Sequence, residues 1–488
     1  MANIRFGIGL ALGLAITACA PLETPSGGSD FERCRAVWAA ADGIVADAGT
    51  GDAAAQPVAG YQFLRADRFL ASFAGSIAGE AQVAAWLDRL AGLGREAASV
   101  EVGNLAAADR ARLDRFTRAA VGRDGLAAIA FCGPVLRKSV EGVPANVRVD
   151  DHYSDLQRLV GLYPLTAVAV AIGYDQWRDA NLPAFRGEAP FVGTPIVYAV
   201  ADGGGALEAA EVVRLLNTAR ANPLAIPEPS PAVARRLVAA YAPLWIVDTA
   251  GPDDRIGAVT ASGIDTATPV VYHRLSWTRW GGNILLQISY LAWFPARPRD
   301  SAFDLLGERY DSVIWRVTLG ADGRPLIYDS IHGCGCYHLF FPVPPLAARP
   351  LRNPRDIRER PETPAPGPVP AAGQRIALRL ASDSHYLLGV ALSDDDDPAS
   401  TQPSTAASYI LRSMHDLRAL AQPDSGTRSL YDPDGLVAGS ARGERFLLWP
   451  MGIASAGAMR QWGTHATAFV GRRHFDDPWI IENNFFIK

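Results

Sequence analysis

The sequence predicts an α+β protein, with a helix-rich region over residues 31–242 and a largely antiparallel β-rich region over 243–488. Three observations carry this. Before Pro243, apolar residues recur mainly at three- and four-residue spacing, as on one face of a helix. After it, β-branched and aromatic residues gather in short runs. Those runs succeed one another without helical stretches between them, which favours antiparallel pairing.

In chain order, the spacing predicts helices over Phe63 to Leu90 and Asp109 to Ala120. Another starts near Tyr153, with Ser154 as N-cap. Leu162 to Gly173 is the most apolar run; it is short and contains Pro164, so it reads as a buried core element and not a membrane span. Ala206 to Ala221 and Ser230 to Tyr241 are helical, the second opened by Ser230 and a first-turn Pro231. Strands follow at Leu244–Asp248, Val270–Trp277, Asn283–Phe294, Ser312–Leu319 and Arg324–Ile331. Gly320-Ala-Asp-Gly323 joins the last two as a hairpin. A proline-rich excursion, residues 342–373, separates these from strands at Arg375–Leu380 and Tyr386–Leu392. Asp394 to Asp397 reads as a solvated loop, because the ligand spacing of an EF-hand is absent. Near the C-terminus, Arg445–Trp449 and Thr464–Val470 read as strands and Ala456–Trp462 as a short helix.

The formal net charge is −5 and no basic face is evident, so a nucleic-acid partner is not expected. HExxH, GxxxxGK[ST], GxSxG and CxxC motifs are all missing, which removes the commonest motif-marked enzymes. Trp277, Trp280, Trp293 and Trp315 fall in the β-rich part and are expected to pack.

The N-terminus carries an address. Arg5 precedes an apolar run, Phe6 to Ile16, too short for the roughly 20 residues a membrane span needs. Ile16-Thr17-Ala18-Cys19 then follows, and it resembles the lipobox of bacterial lipoprotein precursors. The resemblance implies that residues 1–18 are a signal peptide, that Cys19 is lipidated, and that residues 19–30 are a tether. Ala20 stands where inner-membrane lipoproteins often carry Asp, which implies the outer membrane, with the domain in the periplasm or at the cell surface. The membrane, through the lipid, is then one partner; the sequence identifies no protein or glycan partner.

Export places the remaining cysteines in an oxidising compartment. Cys34, Cys132, Cys334 and Cys336 allow three pairings, of which Cys34–Cys132 is the least demanding. The other two lie in Ile331-His-Gly-Cys-Gly-Cys-Tyr-His338, where His332, Cys334, Cys336 and His338 occupy alternate positions. On a strand such residues share one face. A row that long cannot close on one ion, but neighbours in it can chelate with help from His273, His385, His465 or His474. Sulfur with imidazole suits zinc or copper. A disulfide or redox dithiol is the other reading, with Gly335 supplying the necessary bend. Asp329, three residues before His332, is a candidate to orient it. His465 and His474 lie near Asp476 and Asp477, where ion pairs with Arg472 and Arg473 are the simpler expectation. His273, in a strand, reads more simply as self-satisfied than as a ligand.

The residues therefore point first to an anchored envelope lipoprotein with a structural or binding role. The alternatives are a metal-dependent hydrolase built around His332-Cys334-Cys336-His338, and a thiol–disulfide protein using Cys334 and Cys336.

Overall fold

Ser29 opens the helical region. Its hydroxyl accepts from the Glu32 N–H while the Glu32 carboxylate accepts from the Ser29 N–H, a capping box. The computed structural model describes residues 28–142, 144, 147–187, 189–299, 301, 303–350, 353, 355–393, 404–423 and 426–488. Cys19, the signal segment and Asp394–Asp397 lie outside the described residues.

Helix α1 (Asp30–Ala48) ends at Gly49, whose φ of +63° supplies the left-handed cap. Strands β1 (Gln56–Val58) and β2 (Tyr61–Ala66) form a small ladder, followed by α2 (Arg68–Ala71), α3 (Glu80–Gly103), α4 (Ala107–Val121) and α5 (Gly125–Arg137). These elements enclose one apolar core around Trp38, Phe63, Trp86 and Leu113. The expected pair Cys34 and Cys132 joins α1 to α5, with the sulfurs 2.11 Å apart. Next come α6 (Asp155–Val160) and α7 (Tyr163–Asn181), strand β3 (Ile196–Val200), α8 (Ala209–Ala219) and α9 (Pro231–Ala240).

The rest of the chain is mostly strand: β4 (Leu244–Val247), a small hairpin of β5 (Ala258–Thr260) and β6 (Gly263–Asp265), β7 (Val270–Trp280), β8 (Asn283–Arg297), β9 (Glu308–Leu319), β10 (Pro325–His332) and β11 (Leu339–Pro342). Then follow β12 (Leu346–Ala348), β13 (Ile376–Leu380), β14 (Leu387–Leu392) and β15 (Thr405–Ser413). Ten of these strands make one sheet in the order β11-β10-β9-β8-β7-β15-β3-β4-β13-β14. The α+β class holds, but the antiparallel expectation holds only in part. β7 to β11 is an antiparallel meander, whereas β15 runs parallel to both β7 and β3, and β13 parallel to β4. β3 belongs to this sheet although it comes from the helix-rich stretch.

The faces of the sheet divide the strand residues by parity. Val313, Trp315 and Val317 of β9 face one core, shared with Leu216 of α8 and Leu237 of α9. Ile314 and, from β10, Ile331 face another, built with Met414, Met459 and Phe475 of the C-terminal part. The proline-rich excursion returns along the edge: Phe340 donates to the Glu362 carbonyl (2.7 Å) and Gly367 to the Pro342 carbonyl (2.9 Å). This covers what would otherwise be an open edge strand.

Several local expectations are corrected. Residues 63–90 are not one helix: β2 takes Tyr61–Ala66, and α3 starts only at Glu80 after Gly79 at φ +83°. Phe63, Leu64, Arg65 and Ala66 are all buried, so the strand lacks the alternation that would mark it. Arg445–Trp449 is a helical turn, α10 (Arg445–Leu448), running into a 3-10 turn. Ala456–Trp462 and Thr464–Val470 form neither helix nor strand, apart from isolated bridges of Arg460 with Leu436 and of Ala466 with His474. Gly457 and Gly463, both at positive φ, break the segment into turns. Finally, Leu162–Gly173 is not core. It forms most of α7, in which Ala167 alone is buried.

Candidate functional site

The Ile331–His338 stretch does not continue as a strand. β10 ends at His332, and the chain then closes a tight loop. The His332 N–H donates to the Cys336 carbonyl (3.0 Å), and the Gly335 N–H to the His332 carbonyl (2.8 Å). Gly333 lies so close to β9 that a Cβ there would stand 1.9 Å from Ser312 Oγ. Gly335 has φ +92°, a conformation that favours glycine. The C-terminal segment braces the loop: Arg460 Nε donates to the Cys334 carbonyl (3.2 Å) and His465 Nε2 to the Gly333 carbonyl (3.1 Å).

The expected four-residue row is therefore not formed, and its two histidines end on opposite faces of the sheet. His338 lies with Asp329: its Nε2 donates to Oδ2 at 2.8 Å. Asp329 thus orients His338 and not His332. The reason is parity, since residues three apart on a strand point to opposite sides. Asp329 also accepts two bonds from Arg316, and the whole group is buried against Phe340 and Phe475. Burial holds His338 down to about 4 despite Asp329, so it is neutral at pH 7.

His332 lies with Asp311, which sits on the same face as Val313 and Trp315. Asp311 is a hub. Its Oδ1 accepts from Arg442 Nη2 (2.9 Å) and its Oδ2 from His385 Nδ1 (2.9 Å). Burial pushes its carboxyl up, but the Arg442 cation and the bond from His385 outweigh burial and hold it well below the ordinary range. His385 lies between two carboxylates, with Asp254 Oδ1 3.5 Å from its Nε2, and its ring stacks on Phe294. Burial disfavours its cation, yet the two carboxylates more than compensate, so its pKa is raised.

His332 Nδ1 is 3.5 Å from Asp311 Oδ1, an ion-pair separation. Neither ring nitrogen of His332 has a hydrogen-bond partner among the described residues, although the side chain is buried. Burial lowers its pKa, so the imidazole is neutral. The ring meets the edges of Tyr337 and Tyr386, whose hydroxyls bond each other at 2.6 Å; Arg297 Nη1 donates to Tyr386 at 3.2 Å. Ser330, Leu339 and Leu387 complete a small pocket with these groups. Trp177 of α7 closes it, its ring 4.8 Å from that of Tyr337. Tyr337 (φ +59°) and His385 (φ +51°) both hold left-handed backbone, which costs a non-glycine residue roughly 1 kcal/mol or more.

Cys334 and Cys336 are buried free thiols that share a hydrogen bond. Burial raises Cys334, but the bond from Cys336 and the charge of Arg442 bring it below its ordinary value. Cys336, the donor in that bond and buried besides, is pushed well up.

The supporting candidates divide. His465 joins the loop, as described. His273 is half-buried in β7 opposite Tyr290, and His474 donates from Nε2 to the Asp151 carbonyl (2.6 Å). Asp476 pairs with Arg68, while Arg472 pairs with Asp151 and Asp155 and not with Asp476 or Asp477. Trp293 and Trp315 are buried packing residues. Among the described residues, no three His, Cys, Asp or Glu side chains converge as a zinc or copper shell requires. Asp311, Asp254 and Arg442 were missed. One signal exists for Asp311: it heads the alternate row Val313, Trp315, Val317, where a charge in an apolar row asks for a reason.

The chain matches no family model, and no curated protein or solved structure is significantly similar to it.

Proposed function

We propose that the protein is a lipid-anchored cell-envelope enzyme, held to the outer membrane through Cys19, with His332 as a general base. The anchor rests on Arg5, the Phe6–Ile16 run and the Ile16–Cys19 lipobox resemblance. The activity rests on one observation: a buried, neutral imidazole with no hydrogen-bond partner among the described residues, beside a carboxylate locked in its charged form. A buried unsatisfied polar group costs about 1–3 kcal/mol and needs an explanation. A reacting group that bonds only to substrate is one.

In this reading Asp311 stabilises the imidazolium that forms when His332 takes a proton from water or a substrate hydroxyl. Arg442 and His385 keep Asp311 ionised. The Tyr337 hydroxyl, accepting from Tyr386, which in turn accepts from Arg297, is left to donate to negative charge developing on a substrate oxygen. The apolar and aromatic lining favours a small ester or related acyl compound, admitted when Trp177 moves aside.

The test is a panel of chromogenic esters with wild type and His332→Leu, read together with thermal stability. Turnover lost and Tm raised is the expected pair, because removing an unsatisfied catalytic group stabilises the fold. A Tm lowered by His332→Leu, with no turnover by wild type, would mark His332 as structural and end the reading. A thiol–disulfide role is favoured by a separate observation, two buried free thiols, Cys334 and Cys336, separated by one residue in the same tight loop. Unchanged reduction behaviour in Cys334→Ser/Cys336→Ser removes it.

A further inference from the structure

The largest unexplained feature outside the pocket is a continuous apolar surface. From Leu159 to Tyr174 the chain carries no charge. In the structure this stretch does not turn inward. Leu159, Leu162, Leu165 and Ile172 of the α6–α7 elbow, with Phe446 and Leu447 of α10, are 55–75 % exposed. The two parts form one face. A Cβ on Gly161, at the elbow, would stand 2.5 Å from Pro450, just after α10. Arg158 Nε and the Ser154 N–H tie the same corner to the carbonyls of Met451 (2.8 Å) and Gly452 (2.7 Å). Contiguous exposed apolar surface of this kind marks an interaction site.

We infer that this face seats in the acyl–headgroup boundary of the membrane, a second contact besides the lipid. The choice of a bilayer as occupant rests on the anchored reading above. Cys19 and Gly28 are nine residues apart, a tether of at most about 30 Å at 3.3–3.6 Å per residue. A folded body of this length has a radius of gyration of roughly 23 Å and is roughly 60 Å across. A tether shorter than the body keeps its surface against the bilayer. The face is also suited to lying on a membrane and not crossing it, since no single helix among the described residues is long and apolar enough to span. Burial of this face would add apolar contact to the attachment that the lipid on Cys19 supplies.

The test places an environment-sensitive NBD fluorophore on the full-length acylated protein in phosphatidylethanolamine/phosphatidylglycerol vesicles. One variant is Leu165→Cys on α7; the control is Ala119→Cys, on the exposed side of α4. Cys334 and Cys336 are buried, so the label goes to the new thiol. The Leu165→Cys probe should shift to shorter wavelength and lose emission to doxyl lipids, while the Ala119→Cys probe does neither. Equal, water-like emission at both positions in protein that floats with the vesicles would overturn the inference. So would a shift at position 165 without lipid quenching and with doubled particle mass, which would mean that a second copy covers the face. Failure to incorporate labelled palmitate would defeat the anchor alone; the same probe, in protein mixed with vesicles, would still report on the face.

Discussion

Arg316 grips Asp329 with two parallel bonds, Nε to Oδ1 at 2.9 Å and Nη2 to Oδ2 at 2.5 Å, across the β9–β10 ladder and away from solvent. Removing one partner of a buried pair strands the other charge. Asp329→Leu or Arg316→Met alone should therefore lower the unfolding free energy by about 3–5 kcal/mol, whereas the two together should cost much less. Urea unfolding of the four proteins of the cycle measures both. A double-variant loss equal to the sum of the two single losses would show that the pair contributes no coupling.

Two glycines of α3 separate packing from helix propensity. A Cβ on Gly94 would stand 2.2 Å from the Phe63 carbonyl of β2, while one on Gly92 meets nothing nearer than 3.9 Å. Gly94→Ala should cost roughly 1–3 kcal/mol as α3 is forced off the strand. Gly92→Ala should be neutral or add up to about 1 kcal/mol from better helix propensity. Thermal melts of the two variants side by side give the contrast.

Cys34 and Cys132 close a loop with a sequence separation of 98. Replacing both with serine, or reducing the bond, should lower stability by about 2–5 kcal/mol. Unfolding with and without reductant measures it, and mass mapping of the oxidised protein should find this bond.

Acid should destabilise the fold well above the range of ordinary carboxylates. Burial holds His338 and His474 at about 4 and His465 at about 3, against 6.5 when unfolded. Their folded pKa values are depressed, so the unfolded chain takes up protons first. The stability they contribute is present above pH 6.5 and is lost as pH falls toward 4 and 3. Asp476, raised by burial to about 6, has the opposite sign and favours the fold on acidification, as do Asp67, Glu101, Glu359 and Glu444, also raised by burial, while His152, His273 and His332, lowered by burial, join the other three histidines. Net stability should fall between pH 6.5 and 4. His474→Gln, which can still donate to the Asp151 carbonyl, should make that fall shallower. A flat stability profile over this window would contradict the buried neutral state of these rings.

Much of the fold was legible because its signals are local. The Gly320–Gly323 turn joins β9 to β10, β13 pairs with β14 across Ser382–Ser384, and Ser154 caps α6, its hydroxyl accepting from the Gln157 N–H. What failed was whatever depends on distant neighbours. β2 is buried on both faces and so has no alternation, and α7 is apolar for a reason other than core packing. The site divided in the same way. The Ile331–His338 stretch was visible as a cluster, but its chemistry depends on Asp311, His385 and Arg442, which reach it only through the folded sheet. The glycines that make the cluster conspicuous also bend it away from the strand on which the four-residue row was reckoned.

The order of the sheet also sets a timetable. β7 to β11 pair with one another in sequence order and can assemble as they emerge, β7 alone also taking β15 later. β3 and β4 leave the synthesis machinery earlier, but their only bonded route to that meander is β15, where Thr405 finally meets Ile196. A chain made from its N-terminus must hold β3 with an open edge until β15 arrives, and any truncation before Thr405 leaves two half-sheets with no strand to join them.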